Sequence, residues 1–162
     1  SHKVVLAGDS AGGAMAASLA IRYRERGFPD VLCQLLLSPV LDNDFDRPSY
    51  RRAADPFLTR ESMIYYISAY LPGDVDLSNP EAIPMPVKST RGLAPAYILI
   101  ADHDVLRDEA VEYGRRLVEG GVPTTVREWP GTIHGFIRAQ DLSAVSRQAL
   151  DDLVKYLTTA FA

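Results

Sequence analysis

The stretch Val4–Gly13, VVLAGDSAGG, places a short apolar run directly before a serine flanked by glycines. The run VVLA predicts a buried β-strand, and the alanine-rich stretch Ala11–Arg26 that follows has apolar residues at helical spacing. The residues between them fit the pattern G-x-S-x-G, which occurs where a strand turns sharply into a helix. Glycines two before and two after the serine let the strand and the helix approach each other. This stretch therefore predicts a strand–turn–helix unit with Ser10 exposed at the turn.

The same alternation of short apolar runs and longer amphipathic stretches continues along the chain. Three further strands are predicted at Leu32–Leu37, Ala96–Ala101 and Thr124–Glu128. Helices are predicted at about Thr59–Leu71, Arg107–Glu119 and Leu142–Thr159. Strands that alternate with helices favour a parallel sheet covered by crossover helices. We therefore expect an α/β fold with about four parallel strands flanked by helices, in a single domain over residues 1–162.

Composition and charge argue against several classes of function. The chain has 17 Lys and Arg against 21 Asp and Glu, and the two signs are interspersed, so no basic face for nucleic acid is evident. No apolar stretch approaches the roughly 20 residues that span a bilayer. The first residues enter the predicted strand without a basic-then-apolar stretch, so no export signal is expected, and the single Cys33 cannot form an internal disulfide. We expect a cytoplasmic protein without nucleic-acid or membrane partners.

A serine nucleophile requires a histidine base, and the base requires an acid that orients it. Of the three histidines, His2 precedes the first strand and is expected at its far end, His103 follows the third strand, and His134 follows the fourth. The carboxyl ends of parallel strands share one edge of the sheet, so Ser10, the region 102–108 and His134 are expected on the same rim. The backbone N–H of Ala11, at a helix N-terminus, is expected to face a developing oxyanion.

Other interpretations of these residues stay open at this point. Gly8–Gly13 could be a turn that begins an ordinary crossover helix, or a phosphate-binding helix N-terminus. A loop histidine can be a surface residue, and aspartates at strand ends often cap the next helix. The residues alone do not choose among Asp102, Asp104 and Asp108 as the acid. The acidic Asp108 and Glu109 are expected to charge the start of their helix.

Three segments resemble a known family when taken together. Gly8–Gly13 (GDSAGG), Asp104–Glu109 (DVLRDE) and His134–Phe136 (HGF) are similar to the signature segments of the hormone-sensitive-lipase-like carboxylesterases, the bacterial family IV esterases of the α/β-hydrolase fold. The resemblance implies Ser10 as nucleophile, Asp104 as triad acid and His134 as general base. It also implies a serine carboxylesterase that uses no metal or organic cofactor.

The resemblance covers only part of such an esterase. Its members carry a His-Gly-Gly-Gly motif upstream that completes the oxyanion hole, and the seven residues before Gly8 contain no such motif. The resemblance thus implies the C-terminal half of an α/β-hydrolase, with poor activity by itself. The outer edge of the first strand is then expected to lack a partner, which favours a homo-oligomer, a separate N-terminal half or poor solubility.

The helix Thr59–Leu71 carries four large side chains on one stripe: Met63, Tyr66, Ile67 and Tyr70. In the resembled family an insertion at this place, here about residues 42–90, forms part of a cap and a substrate pocket, which implies short- to medium-chain uncharged esters. An aromatic stripe at helical spacing more often simply packs on the sheet, and both interpretations can hold in part. Two other functions stay open: a non-catalytic fragment or small-molecule-binding module, and an amidase or peptidase, since the same triad serves acyl transfer generally.

Overall fold

The computed structural model describes residues 4–28, 31–53, 55–71, 73 and 75–162. His2, and Pro72 directly after the predicted helix Thr59–Leu71, lie outside these residues. The strands are β1 (Val4–Asp9), β2 (Val31–Leu37), β3 (Ala96–Ala101) and β4 (Thr124–Trp129). The helices are α1 (Ala11–Arg26), α2 (Pro48–Arg52), α3 (Arg60–Tyr70), α4 (Arg107–Glu119) and α5 (Ala144–Phe161), with a 3-10 helix at Phe136–Ala139.

The four strands form one parallel sheet in the order β1-β2-β3-β4. Leu36 of β2 pairs with Ile98 of β3, which in turn pairs with Val126 of β4. Every residue of β3 is buried, as a central strand covered on both faces requires. The predicted α/β class with four parallel strands flanked by helices is confirmed.

Alternate side chains of β3 enter two separate cores. Ile98 and Ile100 pack with residues of α1 and α4 on one face of the sheet, whereas Tyr97 and Leu99 pack with residues of α5 on the other. The sheet therefore lies between two helical layers. All connections run from the carboxyl end of one strand to the start of the next, so the loops that follow β1, β3 and β4 meet at one edge.

The residues between β2 and β3 add a third cluster above that edge. Tyr50 of α2 and Met63 of α3 pack there against Val105 and Leu106 from the β3–α4 loop. Helix α3 begins with a capping box, in which Thr59 accepts from the backbone of Ser62 and the Ser62 side chain accepts from the backbone of Thr59. The inserted segment is thus packed on the loop that follows the central strand.

Among the residues that the structure describes, no helix combines the length and the apolar character that crossing a membrane would require.

Candidate active site

Ser10 is the single residue between β1 and α1, and its backbone is strained. Its φ of 59° and ψ of −118° lie in a region that residues with a β-carbon rarely adopt. The surrounding backbone holds it: the Ser10 N–H donates to Leu37 O (2.9 Å), and its carbonyl accepts from Gly13 (2.9 Å) and Val40 (3.1 Å). This conformation presents the hydroxyl at the carboxyl edge of the sheet.

The glycines around Ser10 allow close backbone approach, although not as the sequence pattern suggested. A β-carbon added to Gly8 would lie 1.9 Å from the carbonyl oxygen of Gly12, and one added to Gly13 would lie 2.7 Å from Cβ of Pro39. A β-carbon at Gly12 would meet no heavy atom within 4 Å among the described residues. The steric requirement therefore falls on Gly8 and Gly13, and Gly12 contributes its backbone.

The structure brings Ser10, His134 and Asp104 together. Nε2 of His134 lies 3.0 Å from Oγ of Ser10, and Nδ1 lies 2.7 Å from Oδ2 of Asp104. Asp104 is 1% exposed, and its other oxygen accepts the N–H of Leu106 at 3.0 Å. A buried carboxylate, an imidazole and a hydroxyl thus form one hydrogen-bonded chain, the arrangement that transfers a proton away from a serine.

The neighbouring candidates have other partners. Asp102 accepts the N–H of Gly131 at 3.1 Å, and Asp108 accepts the N–H of Ser49 at 2.8 Å. His103 is about half exposed and lies 3.8 Å from Asp102. Of the three aspartates that the residues alone left open, only Asp104 contacts His134.

Charge around His134 favours its protonated form. Burial lowers the pKa of the imidazole, but the hydrogen bond and the charge of Asp104, with smaller contributions from Asp9 and Asp55, outweigh it and raise the pKa above the ordinary 6.5. An imidazole in this setting is stabilised when it takes a proton, because the carboxylate beside it balances the new charge.

A cavity of about 380 Å³ opens at Ser10. The four side chains of the predicted stripe, Met63, Tyr66, Ile67 and Tyr70, all line it. The remaining lining residues are mostly apolar: Ala11, Ala14, Met15, Ser18, Val40, Asp42, Leu58, Glu81, Ala82, Ile83 and Pro84. Met63 and Ile67 also belong to the packed cluster below, whereas Tyr66 and Tyr70 are more than half exposed.

Two buried carboxylates near the site were not found by sequence reasoning. Glu109, expected to charge the start of α4, is fully buried and accepts the N–H of Leu41 at 2.7 Å in the loop after β2. Asp55, in the loop before α3, accepts the N–H of His134 at 2.7 Å. Both join segments far apart in sequence, and no local pattern signals such contacts.

Within the described parts of the chain, no cluster of three or more His, Cys, Asp or Glu side chains is arranged to hold a metal ion.

Residues 1–138 match a protein family described as having the alpha/beta hydrolase fold. The chain belongs to this family. The chain is 37% identical to Esterase LipI of Mycobacterium tuberculosis over 83% of its length, and that match covers 43% of LipI. It is 34% identical to Carboxylesterase NlhH of the same organism, over 83% of this chain and 44% of NlhH.

A solved structure of a fungal esterase from Rhizomucor miehei superposes on this hydrolase-fold chain with a TM-score of 0.91 at 34% identity, covering 97% of this chain and 50% of that one. The predicted resemblance to esterases of the α/β-hydrolase fold is therefore confirmed. The chain spans about half the length of the curated relatives that it matches.

Proposed function

We propose that the protein is a serine ester hydrolase in which Ser10 is the nucleophile, His134 the general base and Asp104 the residue that orients the base. The observation that carries this proposal is the continuous hydrogen-bonded chain from Asp104 through His134 to Ser10 at the mouth of an apolar cavity. The relatives named esterase support the same reaction class.

The proposed reaction has two stages. Oγ of Ser10 attacks the ester carbonyl while Nε2 of His134 takes the hydroxyl proton, and the carbonyl oxygen gains negative charge. The N–H of Ala11, in the first turn of α1, has no acceptor within its helix and is available to that oxygen. The ester C–O bond then breaks as His134 gives the proton to the leaving alkoxide oxygen, which departs as the alcohol. In the second stage His134 takes a proton from a water molecule that attacks the acyl-enzyme, the bond between the acyl carbon and Oγ breaks, and the proton returns to Oγ of Ser10 as the acid leaves.

The lining of the cavity supports an uncharged, apolar acyl or alcohol group as its occupant. Of its two acidic lining residues, Asp42 is paired with Arg47 and Glu81 with Arg22. We therefore propose short- to medium-chain uncharged esters as substrates, with the segment of about residues 42–90 acting as part of a cap over a single catalytic domain.

Labelling with an organophosphonate probe, read by intact mass spectrometry, tests the assignment. We expect one adduct on the protein isolated from its source, lost in Ser10→Ala. Ser18 also lines the cavity, but its hydroxyl donates to Pro80 O and not to a histidine, so Ser18→Ala is the matched control and should keep the adduct. An adduct that survives in Ser10→Ala, or none in the unmodified protein, would contradict the proposal.

The same samples distinguish ester from amide hydrolysis. Hydrolysis of p-nitrophenyl butyrate without hydrolysis of the matching p-nitroanilide supports an esterase, and faster anilide turnover would favour an amidase. The isolated chain offers Ala11 as its oxyanion donor, and a missing second donor lowers kcat by about 10²–10³. We expect the 162-residue chain by itself to hydrolyse esters more slowly than the protein isolated from its source, by a comparable factor.

We further propose that another strand pairs with the outer edge of β1, from a second copy of the chain or from polypeptide outside these 162 residues. In the described residues β1 pairs only with β2, and Ala7 in the middle of β1 is exposed. An unpaired strand edge is a template for association. If light scattering showed that the 162-residue chain is a stable monomer at high concentration, this proposal would be contradicted.

A cytoplasmic location stays a prediction, which cell fractionation would test.

A further inference from the structure

Asp55 connects two segments that the sheet does not hold together. It lies in the loop between α2 and α3 and is 7% exposed. Its Oδ2 accepts the backbone N–H of His134 at 2.7 Å, across 79 residues of sequence. Its Oδ1 accepts the N–H groups of Phe57 (2.8 Å) and Leu58 (3.2 Å), directly before the N-terminus of α3. One carboxylate therefore holds both the histidine and the entry to the helix that lines the cavity.

The contact joins the wall of the cavity to the base. Leu58, Met63 and Tyr66 line the cavity from the segment that Asp55 anchors. On the other side, the loop that carries His134 is held to the β3 end by Asp102, which accepts from Gly131, and by Thr132, whose carbonyl accepts from His103. Those contacts fix the beginning of the loop, whereas Asp55 holds the backbone of His134 itself.

Three N–H groups converge on the two oxygens of Asp55, and a carboxylate satisfies all of them. An asparagine has one acceptor oxygen, and its NH₂ group would face either the N–H of His134 or those of Phe57 and Leu58. A buried N–H left without an acceptor is costly, so that segment would shift. The position therefore requires a carboxylate and not only a residue of that size.

The charged groups that face His134 come from three elements. Asp104 lies in the β3–α4 loop, Asp9 at the end of β1, and Asp55 in the inserted segment. Asp9 is itself paired with the exposed Arg138. Asp55 is the only one of the three that also holds the wall of the cavity.

We propose that Asp55 is a positioning residue for His134. By accepting the backbone N–H of His134, Asp55 holds this residue against the packed inserted segment and keeps the imidazole in line with Ser10. The inference rests on the proposed function, because positioning matters only if His134 acts as the base. Displacement of the cavity wall then displaces His134. Loss of the Asp55 carboxylate therefore lowers the rate of the chemical step more than it weakens substrate binding. Small misplacements of a catalytic group cost about 10²-fold in rate.

The test uses Asp55→Asn in the intact protein, with Asp102→Asn as the matched control. Asp102 holds the same loop through Gly131, and among the described residues its side chain has no hydrogen bond or ion pair to His134 or the inserted segment. With p-nitrophenyl butyrate, we expect Asp55→Asn to lower kcat by about 10- to 100-fold with KM changed less than about threefold. The rising limb of the kcat/KM profile should also move to lower pH, because a negative charge near the imidazole is lost. Asp102→Asn should not lower kcat relative to KM, and it should not shift the pH at which kcat/KM rises.

A titration of the His134 imidazole by NMR gives a readout that does not depend on turnover. Asp55→Asn should titrate at lower pH than the unmodified protein, and Asp102→Asn at the same pH. Equal effects of the two variants on kcat and on the titration, or a loss in Asp55→Asn that appears only in KM, would overturn the proposal. If the organophosphonate probe leaves no adduct at Ser10 of the unmodified protein, the proposed function is refuted. The NMR titration then still shows whether Asp55 acts on His134.

If Asp55→Asn does not fold, hydrogen exchange of the His134 amide in the unmodified protein carries the test. A bond to a buried carboxylate predicts an amide proton that exchanges slowly although it lies in a loop. Exchange as fast as that of an exposed loop would overturn the proposal.

Discussion

The carbonyl oxygen of Gly12 occupies the space that a side chain at residue 8 would need, since a β-carbon built on Gly8 would lie 1.9 Å from that oxygen. The end of β1 and the first turn of α1 are thus in backbone contact behind Ser10. Ser10, the single residue between the two elements, has a φ of 59°.

Gly8→Ala should therefore destabilise the fold, whereas Gly12→Ala should not. The new methyl group of Gly8→Ala meets backbone that cannot rotate away, and we expect a loss of about 3 kcal/mol or more in the free energy of unfolding. For Gly12→Ala, whose β-carbon meets nothing within 4 Å among the described residues, the change should be under about 1 kcal/mol. Urea unfolding of the 162-residue variants measures both, and equal losses would contradict this account of the turn.

Ester hydrolysis should depend on pH through His134. The imidazole must be neutral to accept the proton of Ser10, and Asp104 raises its pKa above 6.5. Thus kcat/KM should rise with pH and level off above a midpoint higher than 6.5. Asp104→Asn removes the main cause of the raised pKa and the acceptor that orients the ring, so kcat should fall by about 10⁴ and the midpoint should move down. A pH–rate profile unchanged in Asp104→Asn would exclude this role.

The parts of this architecture that the sequence could predict depend on local pattern. The strand before Ser10, the helix after it and the alternation of the remaining elements are each visible within a window of about ten residues. The rim shared by Ser10, Asp104 and His134 follows from the topology of parallel sheets, which places successive strand ends together. The choice of Asp104 depended on the family resemblance and agrees with its 2.7 Å contact to His134.

The parts that could not be predicted depend on tertiary contact. Asp55 reaches His134 across 79 residues, and Glu109 reaches Leu41 across 68. Nothing in the neighbouring sequence separates a carboxylate that caps its own helix from one that satisfies a distant loop. Burial distinguishes the two kinds of carboxylate. Water can solvate an exposed carboxylate at a helix start, whereas a buried carboxylate requires hydrogen-bond donors from the protein.

The two adjacent tyrosines of α3 allow a paired test of the substrate pocket. Tyr66 lines the cavity, whereas Tyr65 is 68% exposed and does not line it. Tyr66→Ala should enlarge the cavity and raise kcat/KM for p-nitrophenyl octanoate relative to the acetate by about fourfold to fifteenfold, since burying one or two further methylenes contributes about 0.8 kcal/mol each. Tyr65→Ala should leave that ratio unchanged. An unchanged ratio in Tyr66→Ala would show that the tyrosine only packs.

Glu109 provides a test in which stability, rather than turnover, changes with pH. Its carboxyl group is fully buried. Burial, and to a smaller extent the nearby charge of Asp42, raise the pKa of Glu109 to about 8. The N–H groups of Leu41 and Asp42 and the charge of Arg47 partly oppose this rise. The unfolded chain keeps the ordinary value of 4.5. Between these two values the folded protein holds a proton that the unfolded chain has released, so the free energy of unfolding falls as pH rises from about 4.5 to about 8.

Glu109→Gln should remove that pH dependence without disturbing the loop. The amide oxygen can still accept from Leu41, and the NH₂ group can donate to the hydroxyl oxygen of Tyr50, which lies 3.4 Å from the carboxylate. We expect stability close to that of the unmodified chain at pH 5 and clearly greater at pH 9. Glu109→Ala leaves the loop donors without an acceptor and should lose about 3 kcal/mol or more at pH 5. The loss should be smaller at pH 9, where the charged, buried Glu109 already destabilises the unmodified protein. Urea unfolding at the two pH values measures these differences, and a Gln variant that gains nothing at pH 9 would show that Glu109 is not protonated in the folded protein at neutral pH.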